Sequence, residues 1–345
     1  MRKAEFNDII NYAPSNHLIY EKIKKNIRMM IPFIGAGMSA FSFPIWSNFL
    51  EGIGKKYLST NQYDDFSKLI DDKKFEDAAS MLERMLGKAN FYAVINEIFS
   101  ESKIDDIELQ KQAIFLVPQL FNSFILTTNF DRVIEHAFKL NNQELNFVGH
   151  PGHSDILFGA IGTEDPRLLY KFHGDIGQGL DSSSNIILTA EQYRAFYKKN
   201  SPLLRDLKKC FRSRSILFLG ASLEKDRTMD ILESAVERGS IHYAILDCKE
   251  DAILETYQKL DNRNILPILY PKGEYTALRV IFEHLLEEVY SEKYANLQYY
   301  ITKNEKRETQ NSSFFSFNEC FTDFFGREEE LKLLQEFLDS KAKFS

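Results

Sequence analysis

Several stretches of this chain set glycines or polar side chains at the end of an apolar run, where a sheet could present them to a ligand. The first is Gly35-Ala36-Gly37-Met38-Ser39, entered from Arg28-Met29-Met30-Ile31-Pro32 and Phe33-Ile34. Glycine carries no Cβ, so the backbone can turn tightly here and come close to a bound group. A helix expected soon after Ser39 would aim unpaired N–H groups and a positive dipole end at a phosphate. Strand, glycine turn and helix would form a dinucleotide cradle, although position 40 is Ala and the full G-x-G-x-x-G spacing is absent. The second stretch, Asn122 to Leu126, ends in Thr127-Thr128-Asn129-Phe130-Asp131. Open α/β sheets bind ligands at this end of a strand; equally, Asn129 or Asp131 could cap the helix that follows through Val133, Ile134 and Ala137. The third, Leu168 to Phe172, runs into His173-Gly174 and puts an imidazole at the same sheet edge as Asn129, either for chemistry or as a satisfied structural histidine. The fourth, Ser215 to Leu219, repeats the strand-then-glycine pattern with Gly220-Ala221-Ser222, and His242 to Leu246 ends in the carboxylate of Asp247.

The elements that must position these residues follow from periodicity. Residues 1–28 read as amphipathic helix, with Ile9, Ile10, Leu18, Ile19 and Ile23 among the apolar positions. Residues 47–118 read as helices, and Phe75, Ala78, Ala79, Leu82 and Leu86 form one apolar stripe that says core rather than chemistry. Pro44-Ile45-Trp46, with the only tryptophan, is expected to pack over the first glycine loop. Leu145 to Val148, Asn185 to Thr189 and Asn264 to Tyr270 add apolar segments, Thr189 suits a helix cap, and Leu278, Phe282, Leu285, Leu286 and Val289 share a face of a closing helix. Strands alternating with helices predict an α/β fold: a Rossmann-like parallel sheet with helices on both faces and an inserted helical module at about 47–118. Residues 1–300 are expected to form this domain, 301–316 a linker without an apolar core, and 317–345 a further helix or the start of another module.

Composition narrows the function. The chain has 345 residues, 44% hydrophobic and 27% charged, enough to bury a sizeable core. A net charge of −7 argues against bulk nucleic-acid binding, and the basic run Lys22 to Arg28 reads as a solvated helix face. The three cysteines, Cys210, Cys248 and Cys320, are far apart and form no C-x-x-C pair, so neither a zinc ribbon nor a disulfide frame is expected. His150 and His153 have no acidic or cysteine partner at metal spacing. No signal peptide and no membrane-length apolar run is read, which gives a cytoplasmic expectation and no membrane partner.

Taken in order, Gly35-Ala36-Gly37-Met38-Ser39, Thr127-Thr128-Asn129-Phe130-Asp131, His173-Gly174 and Gly220-Ala221-Ser222 resemble the motifs of sirtuin-like domains, over roughly residues 15–290. The version resembled is the prokaryotic antiphage-defence branch that hydrolyses NAD, since the zinc-binding cysteines of the protein deacylases are missing and Pro44-Ile45-Trp46 replaces the usual run after the first loop. The resemblance implies an NAD hydrolase that yields nicotinamide and ADP-ribose, uses NAD as substrate without zinc, and serves abortive infection. An ADP-ribosyltransferase, a deacylase or a non-catalytic NAD or ADP-ribose sensor are the alternatives. By resemblance, Asn129 would hold water or ribose hydroxyls and His173 would act as general base with a pKa near working pH. Asp131 would hold the nicotinamide carboxamide. Gly35, Ala36, Gly37 and Ser39 would cradle the pyrophosphate, Gly220 and Ser222 would contact the phosphate or adenosine half, and Asp247 would bind ribose hydroxyls. The tail Phe324-Phe325-Gly326-Arg327-Glu328-Glu329-Glu330-Leu331 looks like the opening of a signal-transducing (STAND-type) NTPase module. That implies an effector portion of a longer receptor, with NTPase and sensor regions as partners and activation by homo-oligomer formation.

Overall fold

The structure is a computed structural model, and it describes residues 5–149, 157, 159, 167–176, 186–198, 201–221, 223 and 241–291. Ser222, His150, His153, Cys320, the segment 301–316 and the segment 317–345 lie outside the described residues.

The apolar runs become seven strands: β1 Ile31–Ile34, β2 Ile125–Thr127, β3 Phe147–Gly149, β4 Leu168–Lys171, β5 Ile216–Leu219, β6 His242–Cys248 and β7 Ile265–Pro271. They form one sheet in the order β3-β4-β2-β1-β5-β6-β7, and every pairing is parallel. Continuous apolar strands such as Ile216–Leu219 suit a parallel sheet covered on both faces. Alternation along the strands splits the core in two. Ile34, Ile125, Leu169, Leu219 and Ile245 face one layer, while Phe33, Leu126, Tyr170, Phe218 and Ala244 face the other.

The first face carries α1 Phe6–Tyr12, α2 Asn16–Asn26 and the helix at 276–291. The single helical run expected at the N-terminus is broken at Ala13, which is extended (φ −133°, ψ 145°) because the residue before a proline, here Pro14, is steered away from α geometry. Between β1 and β2 the same face receives α3 Trp46–Tyr57, α4 Thr60–Asp71, α5 Phe75–Leu86, α6 Lys88–Ile98, α7 Asp106–Gln110 and α8 Val117–Leu120. α9 Val133–Leu140 follows β2 onto that face. The second face carries α10 Ala190–Phe196 and α11 Pro202–Ser213, whose Tyr193, Leu207 and Phe211 pack on the sheet. Thr189 caps α10 in a reciprocal capping box with Gln192. Of the apolar stretch before it, Ile186 makes an isolated antiparallel bridge to Gly174. α12 Ile253–Asp261 connects β6 to β7.

The β7 edge is closed by a side chain. The fully buried Asn16 donates to the Leu269 carbonyl (2.7 Å) and accepts from the Leu269 amide (2.9 Å), as a neighbouring strand would, while also donating to the Ile9 carbonyl (2.8 Å). β7 also carries Pro267 and Pro271, a residue that sheets tolerate at their edges.

Candidate functional site

The order of the strands decides where a site can form. The chain leaves β1 for β2 on one side and later fills β5 on the other, so the winding reverses at the β1/β5 junction. Loops after these strands open the crevice in which doubly wound sheets take their ligands.

The glycines of those two loops pack against each other. Gly35 donates its amide to the Leu219 carbonyl and Gly37 donates to the Gly220 carbonyl, both at 2.9 Å. A Cβ on Gly35 or Gly37 would lie 2.6 or 2.8 Å from the Gly220 oxygen, and one on Gly220 would lie 2.6 Å from the Met38 nitrogen. Gly220 also has φ +62°, which favours glycine. The missing Cβ atoms therefore make room for the opposite loop. No long helix starts at Ser39. Residues Ala36–Ser39 form one 3-10 turn, and the next helix waits until Trp46, beyond Pro44.

Asn129, Asp131 and Ser39 are brought together in a wired row. Thr127 Oγ1 donates to the Ile34 carbonyl (2.7 Å) and accepts the Asn129 amide (2.9 Å), which turns the chain at the end of β2. Asn129 Nδ2 donates to the Gly35 carbonyl (3.2 Å) and to Ser39 Oγ (3.1 Å), and Ser39 Oγ donates to Asp131 Oδ1 (3.1 Å). Ser39 is buried and its hydroxyl proton goes to Asp131, so its side chain wires this row together. Asp131 Oδ1 also accepts the amide of Val133, the first residue of α9 (3.0 Å). It serves both the helix start and the cleft. Burial raises its carboxyl above the ordinary value, against the pull of the Val133 amide, Lys171 and Ser39.

A cleft opens over this row. Ala36, Ser39, Thr128, Asn129 and Asp131 line one side, and Phe43, Pro44, Trp46, Phe49, Phe99 and Phe130 supply apolar walls. The Asn129 amide oxygen and Asp131 Oδ2 make no hydrogen bond to the described residues, which leaves two acceptors for a guest.

His173 sits beside the cleft in an aromatic niche. Its ring lies 3.0 Å, through Nε2, from the Tyr193 hydroxyl. Tyr193 stacks on Tyr197, and Trp46, which lines the cleft, stands edge-on to both His173 and Tyr193 at 6.5 Å. His173 is only 7% exposed, and desolvation lowers its pKa to about 4. The imidazole is thus neutral at neutral pH and a weaker base than its ordinary pKa would make it, which corrects the expectation of a value near working pH.

One group here escaped the sequence reading. Lys171, at the end of β4, is fully buried and donates to the Asp131 carbonyl (2.7 Å), Asp175 Oδ1 (2.8 Å) and Glu135 Oε1 (2.5 Å). Burial alone would push the ammonium down, but Glu135 and Asp175 outweigh it and hold the value up. Arg132 bonds Asp175 Oδ2 at 2.9 Å from outside. The signal was a lysine inside an otherwise apolar strand, Leu168-Leu169-Tyr170-Lys171-Phe172.

Asp247 is not brought to this cleft. It lies on β6, two strands from β1, and accepts the Gly273 amide at 3.4 Å. Cys210 and Cys248 are buried free thiols. Among the described residues no three His, Cys, Asp or Glu gather to hold a metal ion, and no helix is long and apolar enough to cross a membrane.

The result is a doubly wound parallel α/β sheet with a polar row and an aromatic cleft at its strand ends, where sheets of this kind take their ligands. The SIR2-like domain family matches residues 123–268, which span β2 to the middle of β7 and include Asn129, Asp131, His173, Gly220 and Asp247. The match leaves out the β1 glycine loop, which the fold nevertheless seats against Asn129 and Gly220. A solved structure described as the structural basis for the mechanism and regulation of Sir2 enzymes aligns at 15% identity and a TM-score of 0.40, over 79% of this chain and 98% of that one. No curated protein matches.

Proposed function

We propose that this domain cleaves the bond between nicotinamide and ribose in NAD, releasing nicotinamide and ADP-ribose. The observation that carries the reading is the aromatic cleft floored by the open oxygens of Asn129 and Asp131. A nicotinamide ring is flat and cationic in NAD, which suits walls of Phe and Trp. Its carboxamide NH2 is a double donor, which suits Asp131 Oδ2, an acceptor that makes no hydrogen bond among the described residues.

In the reaction the C1′–N bond breaks and its electron pair stays on the ring nitrogen, so nicotinamide leaves neutral and needs no acid. Water then forms the new C1′–O bond and gives up a proton. The Asn129 oxygen would hold that water or a ribose hydroxyl beside the anomeric carbon, and the neutral imidazole of His173 would take the proton. Trp46 lines the cleft and stands edge-on to His173, so in this reading the ribose approaches the imidazole alongside this ring. The walled position of His173 also gives a specific footing to a second reading, in which the domain binds NAD without cleaving it until it is switched.

We place the domain as an effector of abortive infection, switched on by assembly, with Phe324 to Leu331 opening an NTPase module toward a sensor region. The motif set and the harm of unrestrained NAD loss support this placement.

The test is NAD loss with product analysis, for wild type, Asn129→Ala and His173→Ala, across a wide protein concentration range. Nicotinamide and ADP-ribose from wild type alone are expected, rising steeply with concentration. Near-native rates in both folded variants would sink the mechanism. Tight NAD binding with no product at any concentration would favour the sensor, and label carried from NAD onto protein would favour a transferase.

A further inference from the structure

We propose that Lys171 is the positioning residue of this site, a buried ammonium that ties the Asn129–Asp131 turn to the His173 turn; the inference rests on the NAD-cleaving reading above. β2 and β4 end side by side, with Thr127 in register with Lys171. Beyond that point two backbone bonds join their turns, from the Phe172 amide to the Thr127 carbonyl (2.8 Å) and from the Ile176 amide to the Phe130 carbonyl (3.0 Å). Lys171 supplies the rest. An ammonium has three donors, and here one goes to the Asp131 carbonyl, one to Asp175 and one to Glu135. Asp131 lines the cleft, and Asp175 lies two residues past His173, so a single side chain grips both turns.

Filling space in this strand does not require a cation, because a buried ion cluster can often be replaced by apolar residues at no loss of stability. What an apolar residue cannot do is hold the Asp131 carbonyl or face the Asp131 carboxylate with positive charge. Lys171 and Asp175 are the charged groups that bear on Asp131 from the β4 side, while Ser39 and the Val133 amide meet it as neutral donors. Glu135, on α9, faces Lys171.

The experiment uses the full chain and its only tryptophan, Trp46, which lines the cleft and reports on it by fluorescence. Emission is titrated against pH, with and without nicotinamide, for wild type, Asp131→Asn and the paired variant Lys171→Met/Glu135→Gln, which removes one charge of each sign. NAD turnover is followed over the same pH range, and circular dichroism and thermal melting check the fold. Asp131→Asn should abolish one titration step seen in wild type. In the paired variant that step should move up by about 1–3 pH units, and turnover should fall at least about tenfold, its acid limb moving the same way. A folded paired variant with the wild-type titration and turnover overturns the proposal. Failure of that variant to fold assigns Lys171 to stability alone and overturns it too. Should wild type cleave no NAD while the shifted Trp46 step persists, the NAD reading fails and the positioning role stands.

Discussion

The loops after β1 and β5 meet backbone against backbone, whereas those after β2 and β4 meet through charge. In the first pair Gly35, Gly37 and Gly220 bring peptide groups so close that a single Cβ has no place. In the second, Lys171 reaches between the turns and is neutralised by Glu135 and Asp175, with Arg132 outside. Steric fit resists salt and pH and yields only to a change in shape. A charge cluster is indifferent to small changes in shape but answers to protons and to loss of one partner. The residues proposed for chemistry, Asn129, Asp131 and His173, all stand on the charge-held pair.

The largest expected effect breaks the charge-held side directly. Lys171→Met alone leaves Glu135 and Asp175 short of a buried cation and should cost about 3–5 kcal/mol in urea unfolding. Restoring balance with Glu135→Gln should recover much of that loss. A single variant as stable as wild type would show that the cluster does not hold the turns. Acidification comes next. Burial holds His173 and His242 neutral, each with a pKa of about 4. The unfolded chain takes up these protons first, near pH 6.5, so the stability they contribute is complete above that pH and is lost as pH falls toward 4. Up to about 3 kcal/mol for each is at stake. His173→Gln should flatten part of this dependence in unfolding measured from pH 7 to 4.

A smaller effect tests the steric side. Gly220→Ala combines the positive φ with the clash on Met38 and should cost about 1–3 kcal/mol. This loss should be nearly independent of salt and pH, and a strong salt dependence would blur the distinction between the two loop pairs. Tyr193→Phe is expected to be smallest, about 1 kcal/mol, because it deletes one hydrogen bond to His173 in an otherwise intact aromatic stack. Its clearer signature should be a shifted pH dependence of NAD turnover.

Much of the fold was legible because an apolar parallel strand announces itself locally. Ile216–Leu219 followed by Gly220, or Ile125–Thr127 followed by Asn129, needs no knowledge of neighbours to be read. What depends on neighbours was not legible. That β1 lies beside β5 is a long-range fact, and without it the packing of Gly35 and Gly37 on Gly220 cannot be read. His173 could be placed at a strand end, but its lowered basicity comes from burial in the niche that Trp46 and Tyr193 build from distant segments. Lys171 broke the hydrophobic pattern of its strand and was the overlooked local clue.

Asn16 has a consequence for how copies of this chain could associate. Along a strand, alternate residues point their amides to the same side, and Leu269 points its amide outward to Asn16. Pro267 and Pro271 share that parity and have no amide hydrogen to offer. The outer margin of β7 therefore has no donor at these three positions with which to recruit a strand from a second molecule. At these positions the sheet is therefore blocked from growing strand by strand from one molecule into the next through β7.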